Sequence, residues 1–426
     1  MTMSERPFGF WTATAMVVGG VIGAGIYVVP SQFGRFGWSG VGAWIAGGLG
    51  ALLIGRVLVA LVAARPEEPG LMAIIGEVLG PVVGVLNGWG TWVSYWCANA
   101  YISLTAARYA GELLPGLSAT PLRQALTACL LIVALSLLNL SGLKGSGRFQ
   151  VVTTVLKLLP LAAVILIAVA MVATGSHDFT HEAHAPLAAG SLLAATTIGF
   201  VAIMGFETAS IAGERVRNPE RNIPRATMLG ISLTCLIYLI VCTAISFSTP
   251  AVQLAASNAP VADFIAQRWG GWAGRAVAGF AVISTVGCLN VWIMMQSEVP
   301  LGLVRGGLLP EWFGRTNSKD IAVGPLVMAS SLTCLLLLIG CWRGGAAIMD
   351  FMLDLTAVTG VWIYAFAALA ALQLRLRPAS AVLALLFSVA IMVGSGIEAF
   401  LLSMLLMVVA LPLYAMVARR PAGQPA

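Results

Sequence analysis

The chain has 426 residues, 59% of them hydrophobic and only 9% charged, with a mean hydropathy of +0.94. A soluble domain carries roughly 25% charged residues, so the composition excludes a soluble fold and describes an integral membrane protein. The formal net charge of +6 is no evidence for nucleic acid, because it follows from where membrane proteins keep their Lys and Arg.

A spanning helix needs about 20 predominantly apolar residues. Such segments lie at 10–30, 41–63, 83–107, 122–140, 150–173, 189–213, 226–247, 274–298, 323–341, 347–371, 379–396 and 398–418, predicting an all-α membrane protein of twelve transmembrane helices. With the N-terminus inside, the inner loops receive most of the Lys and Arg, including Arg56, Arg65, Lys144, Arg148, Arg215, Arg217, Arg221, Arg225, Arg305, Arg315 and Lys319. The outer side receives only Arg35, Arg108, Arg123, Arg268, Arg275 and Arg343. Both termini are therefore expected in the cytoplasm, in a multi-pass protein of the cell membrane, with a bacterial inner membrane as the setting. The first segment lacks the small-residue cleavage site of a signal peptide. The seven cysteines fall within apolar segments and form no CxxC pair, so neither disulfides nor a metal cluster is expected.

The first segment contains GGVIGAGIYVVP, residues Gly19–Pro30, with four glycines within seven residues. Glycine costs about 1 kcal/mol relative to alanine in a helix, so this is a weak point at mid-depth. In lipid a backbone group cannot be left unpaired, and a broken helix is tolerable only where it lines a cavity. Freed N–H groups at the start of a half-helix attract an anion such as a carboxylate, and freed carbonyls attract a cation. A zwitterion suits such a break. The alternative is glycine serving close helix packing.

In the third segment Tyr95, Asn99 and Ser103 recur on one helical face. In the fifth, Lys157 stands within VVTTVLKLLPLAA, roughly 10 Å along the helix at 1.5 Å per residue. Charge at this depth costs at least about 2.5 kcal/mol and is usually functional. A structural pin between helices and a role in proton coupling or gating both remain open. The outer loop SHDFTHEAHAP holds His177, His181 and His184 beside Asp178 and Glu182; the spacing suits a metal, but a solvated polar loop is the simpler expectation.

The sixth segment reads TIGFVAIMGFETASIAGE and places Gly199 and Gly205 at mid-depth. It would open a second five-helix unit, inverted because five is odd. Interrupted segments at corresponding places of two halves point to a transporter site. Glu207 follows this break, positioned to meet a substrate amine, to carry a proton, or to brace freed N–H groups. The stretch GERVRNPERNIPRA follows, whose arginines satisfy the inner-loop charge rule or form an inner gate with Glu214, Glu220 or Glu298. In the eighth segment Ser284, Cys288, Trp292 and Gln296 share a face, where Trp292 offers a π surface to a cation. Glu298 closes that segment as an inner-gate or loop ion-pair residue. Asp354, in MDFMLDLTAVTG, follows Asp350 by one turn and would meet a cationic side chain or neutralise an internal charge such as Lys157. Glu398 is assigned no transport role.

GGVIGAGIYVVP followed by GFETASIAGERVRNPERNIPRA resembles the amino acid–polyamine–organocation transporters, over nearly the whole chain. The resemblance is nearest to bacterial basic amino acid and amine antiporters, through Gly205-Phe206-Glu207-Thr208-Ala209, Trp292 and Gly307-Leu308-Leu309-Pro310. It implies a five-plus-five inverted repeat of the LeuT-like kind: residues 1–188 and 189–371 as the two repeats, with broken helices one and six, and 372–426 as two accessory helices and a short tail. It implies that Lys157 takes the place of a sodium ion, and it matches Asp354-Leu355-Thr356 to the lysine/cadaverine type. The arginine/agmatine type carries a small apolar residue at the position of Lys157 and an aromatic at that of Val201, so arginine is disfavoured as the main substrate.

The expectation is a sodium-independent secondary transporter for amino acids or amines with a cationic side chain, coupled to protons or a counter-substrate. Ile22, Gly23, Ala24, Gly25 and Ile26 would hold the carboxylate and amino group, with Ala202, Ile203 and Gly205 completing the clamp. Asn99, Trp292 and Asp354 would line the side-chain pocket, and Lys157, Glu207 and Glu298 would couple or gate. No cofactor, metal or nucleic acid is expected; a homodimer is compatible with the resemblance. The rivals are a proton-coupled permease or exporter of small neutral amino acids and, in another class, a channel or membrane sensor. No enzyme is expected, because the segments contain no histidine and no nucleophile with its base.

Overall fold

The computed structural model describes residues 6–175, 187–257, 259–341 and 345–418, with the backbone alone over 345–355. Its helices are α1 (Phe10–Val21), α2 (Gly25–Phe33), α3 (Trp38–Ala64), α4 (Leu71–Leu79), α5 (Pro81–Leu113), α6 (Pro121–Leu140), α7 (Leu143–Thr174), α8 (Ala189–Ala202) and α9 (Thr208–Ile211). They continue with α10 (Pro219–Ser248), α11 (Ala251–Ala256), α12 (Pro260–Trp269), α13 (Gly271–Arg305), α14 (Val323–Gly340), α15 (Gly345–Gln373), α16 (Pro378–Gly394), α17 (Ile397–Val408) and α18 (Leu411–Ala418). Nine stretches of the described residues are helical, long and apolar enough to cross a membrane, which makes this a multi-pass membrane protein. The histidines of the 174–188 loop lie outside the described residues.

Local sequence explains where helices begin. α5, α6, α10, α12 and α16 each start with proline in the first turn, where the missing N–H would have no intrahelical partner anyway. Large apolar side chains such as Leu130, Leu137, Leu166, Leu386 and Leu405 are exposed on the outside of the bundle, as a lipid-facing surface requires. Inside it, α5 is the central post, with α13 and α15 packed along it. α1 lies against α7, α10 and α13, and α3 against α8, α10 and α16. Outside the helices, Phe8 pairs as a strand with Val216. The Phe8 N–H donates to the Arg215 carbonyl at 3.0 Å and the Arg217 N–H to the Phe8 carbonyl at 2.8 Å. The N-terminal segment is thereby tied to the chain leaving α9.

Candidate functional site

Two helices are interrupted, and the interruptions touch. α1 ends at Val21 and α2 starts at Gly25. α8 ends at Ala202, and the chain turns through Gly205 before α9 begins at Thr208. Gly205 has φ +110°, a left-handed value that glycine alone adopts without strain. A Cβ built on it would lie 2.8 Å from the Gly20 carbonyl oxygen, and one built on Gly20 would lie 3.0 Å from the Gly205 oxygen. Both glycines are thus required by direct backbone-to-backbone contact. Gly205→Ala is expected to lower stability by about 1–3 kcal/mol, measurable as a fall in Tm of the purified protein; an unchanged Tm would show that the breaks can separate freely.

The carbonyls released where α1 ends are taken by side chains from three other helices. Lys157 of α7 donates from Nζ to the carbonyls of Gly19 at 3.1 Å and Ile22 at 2.6 Å. Trp292 of α13 donates from Nε1 to the Gly20 carbonyl at 3.0 Å, beside the Cys288 thiol at 3.3 Å. Tyr238 of α10 donates to the carbonyls of Val21 at 3.2 Å and Ala202 at 2.9 Å, joining the two breaks. One turn earlier, Gln150 and Thr154 of α7 donate to the Ala15 carbonyl at 3.1 and 3.2 Å. The N–H groups that open α2 have no preceding helical turn to bond, so the break presents its donors where its acceptors are already occupied.

Glu207 braces the second break. Its Oε1 accepts from the Tyr95 hydroxyl at 2.8 Å. Its Oε2 accepts from the Tyr364 hydroxyl at 2.7 Å and from the Gly205 N–H at 3.1 Å. The carboxylate therefore links α5, α15 and the glycine turn, and it is buried. Aromatic contacts extend the brace: Tyr95 meets Trp292 edge-on at 5.0 Å, and Phe206 stacks on Tyr364 at 5.0 Å.

Beside the breaks is a cavity of about 280 Å³, lined among others by Gly20, Gly23, Ala24, Gly25, Tyr101, Ala202, Met204, Cys288, Trp292 and Thr356. It extends to Gln32 of α2 and to Gly394 and Ser395 at the end of α16. Among the described residues no charged side chain lines it. Its volume lies at the small end of ligand pockets, which run from about 300 Å³ upward.

The sequence-based assignments are redistributed by this geometry. Gly23, Ala24, Gly25, Ala202 and Trp292 line the cavity. Ile22 and Ile26 are buried beside it; the carbonyl of Ile22 is held by Lys157. Ile203 and Gly205 do not line it, while Met204 between them does. Asn99 is fully buried and does not line the cavity, and neither amide atom has a partner among the described residues. It is one turn beyond Tyr95 on α5, which packs closely against α13. The side chain of Asp354 lies outside the described residues. Lys157 and Glu207 act on the backbone of the breaks rather than on the cavity wall. Sequence reading missed Tyr238 and Tyr364, because a tyrosine in an apolar segment carries no charge to flag it.

Glu298 belongs to a second site at the N-terminal face of the bundle. Arg215, fully buried, makes a two-pronged pair with it, Nε to Oε2 at 3.0 Å and Nη2 to Oε1 at 3.1 Å. The same guanidinium bonds Asp320 at 2.6 Å. Arg305 pairs with Asp320 at 2.8 Å and also with Glu214. Burial alone would raise the Asp320 carboxyl, but hydrogen bonds from Arg305 and the charge of Arg215 outweigh it and hold the group below the ordinary aspartate value. Its contribution is therefore complete at neutral pH and is lost only as the pH falls through that lowered value. The network joins the end of α9, the end of α13 and the loop before α14. Asp320 was not among the gate residues expected from sequence.

The overall fold is one that a solved protein shares. The nucleobase-cation-symport-1 family transporter Mhp1, solved in a closed conformation with bromovinylhydantoin bound, matches with a TM-score of 0.52 and 16% identity, covering 96% of this chain and 94% of that one. It shows the transporter fold alone. The cadaverine/lysine antiporter of Escherichia coli K12 is 26% identical over 363 residues, 83% of this chain and 80% of that protein. The arginine/ornithine antiporter of Latilactobacillus sakei is 26% identical over 343 residues, 77% of this chain and 72% of that protein. The amino acid permease family matches residues 8–424, as the two glycine-broken motifs led us to expect, and the chain belongs to that family.

Proposed function

We propose that this amino acid permease exchanges a cationic amino acid for a related amine or a second cationic amino acid, without sodium, by alternating access. The observation that carries the reading is the division of labour at the first break. Lys157, Trp292 and Tyr238 occupy the carbonyls, while the N–H groups at the start of α2 adjoin the cavity and suit a carboxylate. An ammonium fixed between the Gly19 and Ile22 carbonyls fills the role of a bound cation, which supports sodium independence. The names of the antiporters to which the chain is similar support a cationic side chain.

In this reading the fold is twelve transmembrane helices in two inverted five-helix repeats, 1–188 and 189–371, followed by two accessory helices. Both termini and the Arg215–Glu298–Asp320 network face the cytoplasm, in a bacterial inner membrane. Gly23, Ala24 and Gly25 hold the substrate backbone with Ala202 opposite, and Trp292 covers it. Asp354 meets the distal amine; position 354 comes one helical turn before Ala357 and Val358, which line the cavity.

The test uses sodium-free proteoliposomes loaded with lysine, cadaverine or leucine, following uptake of labelled lysine. Uptake is expected only against a cationic counter-substrate, and Asp354→Asn is expected to abolish it. Uptake driven by external acid alone, with a preference for alanine or leucine, would establish the neutral permease instead. Unsaturable uptake without counter-substrate would establish a channel, and a sodium requirement would overturn the role given to Lys157.

A further inference from the structure

The cavity has a wall that the two repeats do not supply. Gly394 and Ser395, at the end of α16, line it together with Thr197 of α8. A Cβ built on Gly394 would lie 2.1 Å from the Thr197 Oγ1 and 3.2 Å from its Cβ, so the backbone of α16 rests directly on the α8 side chain. Thr197 is itself held by donating to the Leu193 carbonyl at 3.1 Å. Two turns earlier on α16, Phe387 makes a second contact with α8, meeting Phe200 edge-on at 5.0 Å. The other side of the Phe387 ring rests on α3, where a Cβ on Gly50 would lie 2.4 Å from it. Phe200 in turn meets Tyr364 at 5.6 Å, and Tyr364 donates to Glu207 at the break.

We propose that α16 is a positioning element for transport: Gly394 and Phe387 set the stance of α8, and with it the width of the cavity mouth and the alignment of the second break. α8 is half of an interrupted helix and ends at the glycine turn, so it lacks the continuous backbone bonding that fixes a full-length helix. It takes its position from what it leans on. The two α16 contacts lie at its middle and toward its end, and the Phe200–Tyr364–Glu207 chain carries that position to Gly205. Adding a methyl group at Gly394 pushes Thr197 and α8 toward the cavity. Phe387 does not line the cavity, and Gly394, which does, bears on α8 through Thr197; both act through α8.

This inference rests on reading the cavity as the substrate route, and its test separates the two. Cys288 lines the cavity and is a native reporter: its modification by a membrane-impermeant methanethiosulfonate applied to intact cells is followed by peptide mass spectrometry, with no transport required. Gly394→Ala is expected to slow Cys288 labelling and cation exchange alike, each by about fivefold or more, in protein that remains folded and inserted. In a Thr197→Ala background the same substitution is expected to have no further effect, because the group it strikes has gone; contacting residues couple in this way. Phe387→Leu, which keeps the helix but shrinks the prop, is expected to alter labelling in the opposite sense. Unchanged labelling after Gly394→Ala, or an effect that persists undiminished in the Thr197→Ala background, would overturn the proposal. If the wild-type protein exchanges no cationic substrate, the exchange reading fails while the labelling cycle still decides the role of α16.

Discussion

Lys157→Met is expected to reduce exchange by about 100-fold while the protein remains inserted and folded. The reasoning compares two opposing terms. Removing the ammonium leaves the carbonyls of Gly19 and Ile22 without their donor, and an unsatisfied buried polar group costs about 1–3 kcal/mol. Against that, burying a charge is itself costly, and methionine fills the same volume without it. Stability therefore changes little. The geometry of the break does change, because Lys157 is what holds two carbonyls three residues apart onto one point. A displacement near 1 Å in a positioned site can cost about 100-fold in rate. The measurement is lysine–cadaverine exchange in sodium-free proteoliposomes beside Tm in detergent. Normal exchange by Lys157→Met would show that the first break holds its shape unaided.

The second large effect separates two uses of Glu207. Glu207→Ala removes the acceptor of the Tyr95 hydroxyl, the Tyr364 hydroxyl and the Gly205 N–H together. At about 1–3 kcal/mol for each stranded group, the substitution is expected to lower Tm sharply and to abolish exchange. Glu207→Gln is expected to stay within about tenfold of the wild type, because the amide oxygen can accept from Tyr364 and Gly205 while its NH₂ donates to a rotated Tyr95 hydroxyl. Both proteins are assayed for exchange and Tm. If Glu207→Gln is as inactive as Glu207→Ala yet equally stable as the wild type, the negative charge itself is used, and Glu207 meets a substrate amine or a proton rather than bracing the turn.

Much of this site was legible in the sequence, for identifiable reasons. Both breaks announce themselves because glycine clusters are conspicuous in otherwise apolar segments, and only a cavity makes such a weakness tolerable. Lys157 is conspicuous because ammonium groups are rare at that depth, although its two acceptors are backbone carbonyls and backbone leaves no trace in residue identity. Asn99 shows the limit of pattern: it shares a helical face with Tyr95, but a four-residue repeat fixes a face and not which neighbouring helix that face meets. Tyr238 joins the two breaks and Tyr364 holds Glu207, yet both look, in sequence, like ordinary aromatic residues of a membrane helix. The contribution of α16 was illegible because it depends on a glycine meeting a threonine almost 200 residues away, and neither is unusual where it stands.

The polarity of α5 has a consequence for how the protein is made. Pro81–Leu113 is not among the nine stretches apolar enough to cross a membrane on composition, since Asn87, Thr91, Ser94, Tyr95, Asn99 and Ser103 are all buried along it. Its shelter is α13 and α15, which leave the ribosome much later. At about 5–20 residues per second, roughly 190 residues of further synthesis pass before α13 is complete, a wait on the order of 10–40 s. Over that interval α5 has α4, against which Asn87 is bonded to Met72, but not the helices that shelter the rest of its polar face. Early biogenesis therefore depends on the insertion machinery, or on α3, α4 and α6, to keep this helix out of bare lipid, and chains halted before α13 should be the ones that quality-control proteases remove.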